Sequence, residues 1–136
     1  MKARYYVLTL AYCAGIFWMS SQSHPPQVRV SGADKLAHLA MYGGLAAIVS
    51  WGLRRSERPV PPHIQFLLPI LVAALYGLSD EIHQIFVPRR HFDLLDVLAD
   101  TAGAVLVQVL LCRLLWRLPL RAAPLGQGNP DGPAGD

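Results

Sequence analysis

With 136 residues, 53% of them hydrophobic and only 15% charged, the chain is too apolar for a soluble domain of its length, which could not hide so many apolar side chains in one small core. Its net charge of +3 is small, and the arginines are scattered over joints and segment ends, which excludes a nucleic-acid-binding protein. The two cysteines, Cys13 and Cys112, lie alone in separate apolar runs and read as small buried side chains rather than as a disulfide or a metal-binding pair.

The first apolar run is Tyr5 to Ser20, behind Lys2 and Arg4. A basic start before an apolar stretch is also the plan of a signal peptide, but the exit Met19-Ser20-Ser21-Gln22-Ser23 offers no Ala-x-Ala site, so a retained helix is expected. The second run is Leu36 to Leu53. Arg58-Pro59-Val60-Pro61-Pro62 then makes a stiff, extended linker. The third run begins near Ile64, is strongly apolar to Leu78 and is expected to continue as helix to Phe86. Pro69 lies inside it, which membrane helices tolerate, and Pro88 should end it. The fourth run is Val97 to Leu118, on a helix starting near Leu94 that Asp93 is placed to cap. Each run approaches or reaches the ~20 residues needed to cross hydrocarbon. The expected fold is therefore all-α: a bundle of four transmembrane helices over residues 1–118. Residues 119–136, rich in Gly and Pro and without hydrophobic period, are expected to be a disordered cytosolic tail.

Four crossings put the N-terminus, the 54–63 joint and the C-terminus on one side. That side carries Lys2, Arg4, Arg54, Arg55, Arg58, Arg113, Arg117 and Arg121, against Arg29, Lys35, Arg89 and Arg90 on the other. The positive-inside rule then places both termini in the cytosol and turns joints 22–35 and 87–96 outward. Trp18, Trp51 and Trp116 fall near helix ends, where an interfacial aromatic belt would put them.

The outward ends of the last three runs hold most of the acidic charge: Asp34, Asp80, Glu81, Asp93, Asp96 and Asp100, six of nine. Asp34, His38 and Tyr42 recur every four residues and share a helix face with each other. Lys35 either snorkels to headgroups or holds an anion. Glu81 and Gln84 are three apart, with Gly77 four before Glu81, another shared face. Asp80 and His83 are expected to turn toward headgroups. Asp96, Asp100 and Gly103 form a third face. Asp100 lies a full turn into apolar sequence, beyond any capping role, and needs a partner such as Arg90 or His38. Ionisable groups brought by several helices to one depth are costly unless paired or functional. Carboxylate and imidazole together suit acid–base work, which nominates His38, Glu81 and Asp96. Asp34, Lys35, Tyr42, Gln84, Arg90 and Asp100 are the candidate binding residues, with Arg90 a planar fork for an anion. No HExxH-like or other ligand spacing is present, so no metal site is expected, although His38, Glu81, His83 and Asp96 carry ligand atoms. No cofactor is indicated.

The stretches Asp34-Lys35-Leu36-Ala37-His38 with Tyr42, Tyr76-Gly77 through Glu81 and Gln84, and Arg90 through Asp96, Asp100 and Gly103 together resemble the VanZ-like family of small bacterial membrane proteins. The resemblance covers residues 5 to 117. It implies a cell-envelope role in the bacterial plasma membrane, and some members of the family are associated with teicoplanin-type glycopeptide resistance. It supplies no reaction. Here Asp100 stands where the family commonly has Asn, and Arg89 where Gly is frequent. The leading expectation is a protein that recognises an envelope lipid, glycan or glycopeptide at an outward polar site. The competing ones are a membrane enzyme acting on a phosphorylated or lipid-linked substrate, and a purely structural bundle whose charges pair with each other. A proton-coupled carrier is also open, and Gly43, Ala47, Ala99 and Gly103 permit close helix contact within or between chains.

Overall fold

The computed structural model describes residues 3–23 and 32–115. Four helices follow one another: α1 (Ala3–Ser20), α2 (Ala33–Arg54), α3 (Pro62–Gln84) and α4 (Leu94–Leu115). Among the described residues there is no strand, as the apolar runs predict. The expected tail 119–136, together with Arg29, Trp116, Arg117 and Arg121, lies outside the described residues.

The helix ends follow local chemistry. Gly32 precedes α2 with φ +81°, a left-handed conformation that a side chain would strain. Pro62 opens α3, where a missing N–H costs nothing. Asp93 caps α4, its Oδ1 accepting the Leu95 N–H at 2.8 Å. One boundary differs from the sequence expectation: α3 stops at Gln84, two residues before Phe86. The reason is a tightened exit. Ile85, Phe86 and Val87 each donate to the carbonyl three residues back, the 3₁₀ pattern that closes many helices. The side chain of Val87 is buried and ties the turn down before Pro88 acts. Arg89 then adopts φ +66°, the left-handed region that glycine enters more cheaply.

α2 is central and touches all three other helices, most extensively α4; α1 packs mainly on α2 and meets α3 only lightly. Small residues set the α2–α4 distance. A Cβ on Gly103 would collide with the Leu39 backbone carbonyl, and one on Gly43 would press on Val107 Cγ2 at 3.0 Å and the Gly103 carbonyl at 3.2 Å. These two glycines therefore serve contact within the chain. Tyr42, Leu45, Ala46, Val49, Ala73 and Ala104 form the core with Ile16.

Polarity runs inside out. Glu81, Asp96, Asp100, Gln84, Ser50 and Gln108 are buried, whereas Leu67, Leu71, Leu75, Leu98, Leu106 and Leu110 are exposed. A water-soluble domain would reverse this; an exterior of leucines around buried polar groups is matched to lipid. The helices α2, α3 and α4 are each long and apolar enough to cross a membrane. The shorter α1 has 18 residues, ~27 Å at 1.5 Å per residue.

Candidate functional site

The site gathers where α2 begins, α3 ends and α4 begins. Lys35, on the first turn of α2, donates to Asp93 Oδ2 at 2.5 Å and to Asp96 Oδ1 at 2.6 Å. It also lies 3.4 Å from Asp34, which stands at the exposed rim. One turn deeper, His38 Nδ1 meets Asp100 Oδ1 at 3.0 Å, and its Nε2 faces Asp96 Oδ2 at 3.8 Å. The spacing of one helical turn on α2 (Lys35, His38) and on α4 (Asp96, Asp100) lets two rungs match across the interface.

Glu81 closes the third side from α3. Its Oε1 accepts from Gln84 Nε2 at 2.9 Å, and its Oε2 accepts the Asp93 backbone N–H at 2.9 Å. That second bond staples the end of α3 to the start of α4 across the turn. Glu81 is fully buried, as is Asp100. Gly77 makes room for Asp100: a Cβ there would collide with its carboxylate. Behind the site, Tyr42 stacks on the His38 ring with 6.2 Å between centroids. Its hydroxyl, together with Asp80 Oδ2 and Asp100 Oδ2, is buried without a hydrogen bond.

Outside the membrane-crossing segments, Asp93 is held below the ordinary aspartate range, first by the Lys35 ammonium and then by the Leu95 N–H.

The structure brings together Lys35, His38, Glu81, Gln84, Asp96 and Asp100, with Tyr42 behind and Asp34 at the edge. Arg90 stands apart. Its Nε donates to the Gln22 carbonyl at 3.3 Å, so the partner of Asp100 is His38 and the alternative pairing with Arg90 is not formed. Asp80 and His83 were expected to face headgroups. Instead Asp80 is buried and accepts from Ser20 Oγ at 2.6 Å, and His83 pairs with Ser21 Oγ at 3.1 Å and packs against the Phe17 ring at a tilt of 33°. These links fasten α1 to α3. The serines that close the first apolar run are the sequence signal for these links. A second polar link, absent from the sequence expectations, joins α2 to α4 in the apolar middle: Ser50 donates to Gln108, which donates to the Ala46 carbonyl. A single Gln within the fourth run was the trace it left.

Five carboxylates, those of Asp34, Glu81, Asp93, Asp96 and Asp100, therefore surround one lysine and one histidine. Lys35 is already satisfied by them. The surroundings favour a positively charged or hydrogen-bond-donating visitor over an anion.

Compared with known families, residues 4–116 match the VanZ/LLP1 family. No curated protein and no solved structure gives a match.

Proposed function

The chain belongs to the VanZ/LLP1 family, and on that footing we propose that it is a four-span protein of the bacterial plasma membrane whose polar helix end faces outward. There it recognises the hydroxyl- or amine-bearing part of an envelope lipid, glycan or glycopeptide. One observation carries the reading: buried Glu81, Asp96 and Asp100 converge beside a single, already saturated lysine. Such carboxylates accept hydrogen bonds from hydroxyls and ammonium groups. The same surplus of negative charge argues against phosphate, so Lys35 is a structural ion-pair partner rather than a phosphate holder, and the ligand is selected through its donors.

Purified protein in lipid nanodiscs, titrated with a glycolipid, a lipid-linked glycan precursor, a glycopeptide and phosphatidylglycerol, tests this. Binding of a donor-rich ligand should weaken at least tenfold in Asp96→Asn and Glu81→Gln while the helical content stays unchanged. Equal affinity in wild type and variants for every ligand of the panel would sink the reading.

A second reading, an enzyme, is favoured by one pair. Asp100 holds Nδ1 of His38 and leaves Nε2 toward the site, the arrangement of an oriented general base. Turnover of a lipid-linked glycan by wild type, abolished in His38→Ala, would favour it over recognition alone.

A further inference from the structure

The two nitrogens of His38 have different duties. Nδ1 lies 3.0 Å from a carboxylate oxygen of Asp100, an acceptor, which favours the neutral tautomer with its proton on Nδ1 and its lone pair on Nε2. Nε2 looks at Asp96 Oδ2 across 3.8 Å, too long for a hydrogen bond. Asp96 is itself 9% exposed. Its Oδ1 is taken by Lys35, and its Oδ2 faces the imidazole. Glu81 completes the set: one ligand atom each from His38, Glu81 and Asp96 lie within 4.8 Å of one another.

The geometry points to a divalent transition-metal site formed by His38 Nε2, Asp96 Oδ2 and a Glu81 carboxylate oxygen, with a fourth position open toward the ligand. Ligand atoms on a tetrahedral ion at ~2.1 Å stand roughly 3.4 Å apart. The His38–Asp96 gap is close to that, and a separation at the 4.8 Å limit needs to close by about 1.4 Å. One nitrogen and two carboxylate oxygens suit Zn²⁺ or Mn²⁺ rather than Ca²⁺ or Mg²⁺, which prefer all-oxygen surroundings. The supports of such a site are also in place. Asp100 orients the imidazole, the arrangement that accompanies most metal-binding histidines. Gln84 and the Asp93 amide orient Glu81 and leave lone pairs free, since a carboxylate accepts about four bonds. The charge agrees as well. Buried Glu81, Asp96 and Asp100 exceed what Lys35 neutralises, and a dication offsets the cost of burying that surplus.

The inference rests on the polar end being a binding site, and it deepens that reading by narrowing the ligand group: a bound dication would take a hydroxyl or neutral amine through its lone pair and exclude an ammonium, while the carboxylate oxygens left free accept the ligand's protons. Its test uses no envelope ligand. Chelator-stripped full-length protein without a histidine tag, in detergent, is given Zn²⁺, Mn²⁺ or Mg²⁺ alone. Bound metal is counted by elemental analysis after gel filtration, and affinity is read by competition with a chromogenic chelator. Wild type should retain one Zn²⁺ or Mn²⁺ per chain and no Mg²⁺. His38→Gln and Asp96→Asn should lose it. Asp100→Asn should keep the stoichiometry with affinity down 10- to 100-fold, and His83→Gln, outside the site, should bind as wild type. If His38→Gln does not fold, Asp96→Asn and Asp100→Asn decide. Wild type holding no more metal than the detergent blank, or His38→Gln and Asp96→Asn holding as much as wild type, would overturn the inference. Failure of metal binding with donor-ligand binding intact removes the metal alone; metal binding without any donor ligand removes the recognition reading and leaves the metal site.

Discussion

At the scale of single residues, the site is a set of exchanged obligations. Asp93 shows the economy: one oxygen caps α4, the other takes the Lys35 ammonium, and its own amide holds Glu81. Its carboxyl is held low by Lys35 and the Leu95 amide. The sign follows. A group with a depressed folded pKa adds stability that is present above its unfolded value and is lost as pH falls through the folded one. Wild type should therefore unfold at a higher temperature than Asp93→Asn near neutral pH, and the gap should close as pH falls below about 4, the ordinary aspartate range. Thermal unfolding of both proteins across pH 6 to 3 checks this; a gap that stays constant would remove the ion pair from the account. Tyr42, Asp34 and His38 were legible as one helix face from their spacing alone. The pairing of His38 with Asp100 was legible only as one of two options, because sequence spacing fixes the face a residue occupies and not which neighbour arrives there.

At the scale of the element, the glycines decide how near the helices come. Gly103 lies against the Leu39 carbonyl, whereas Gly15 has open space where a Cβ would go. Gly103→Ala should destabilise the protein by about 1–3 kcal/mol through forced separation of α2 and α4. Gly15→Ala, in a helix with room, should be neutral or stabilising by up to about 1 kcal/mol. Thermal denaturation in detergent of the two variants beside wild type tests the contrast, and equal melting temperatures for both would contradict the packing argument. Pro62, expected to end the extended linker, instead opens α3, but helix positions were otherwise visible in sequence from run length, from Asp93 and from the four-residue spacing of Asp34, His38 and Tyr42. The early end of α3 was not, since it depends on Val87 finding a buried place and on Arg89 accepting a left-handed turn. The turn asks Arg89 for φ +66°, a conformation in which glycine would be unstrained.

At the scale of the whole molecule, the exposed leucines and buried acids make lipid the medium that this surface fits. α2, α3 and α4 have the length and apolarity to cross it. The proposed fourth crossing by α1 rests on its apolar run, the basic residues around both termini and the ties of Ser20 and Ser21 to α3. Single cysteines placed at Gln22 and Arg90 in a chain lacking Cys13 and Cys112 should react with a membrane-impermeant thiol reagent in intact cells, and one at Arg58 only after lysis. Labelling in the reverse pattern would turn the site to the cytosol and end the envelope reading.

The sequence by itself determined the helices, their approximate ends, the membrane as solvent and the level at which the acids meet. Each of these follows from local period, run length and the expense of charge in hydrocarbon. Tertiary structure alone decided which acid holds Lys35, that Asp100 answers to His38 while Arg90 goes to a backbone carbonyl, and that Asp80 faces inward to Ser20. Those pairings depend on the rotation of each helix about its axis and on the approach permitted by Gly43, Gly77 and Gly103. Both are set by contacts between residues far apart in the chain, from Gly77 against Asp100 to Arg90 on the Gln22 carbonyl, which no local pattern encodes.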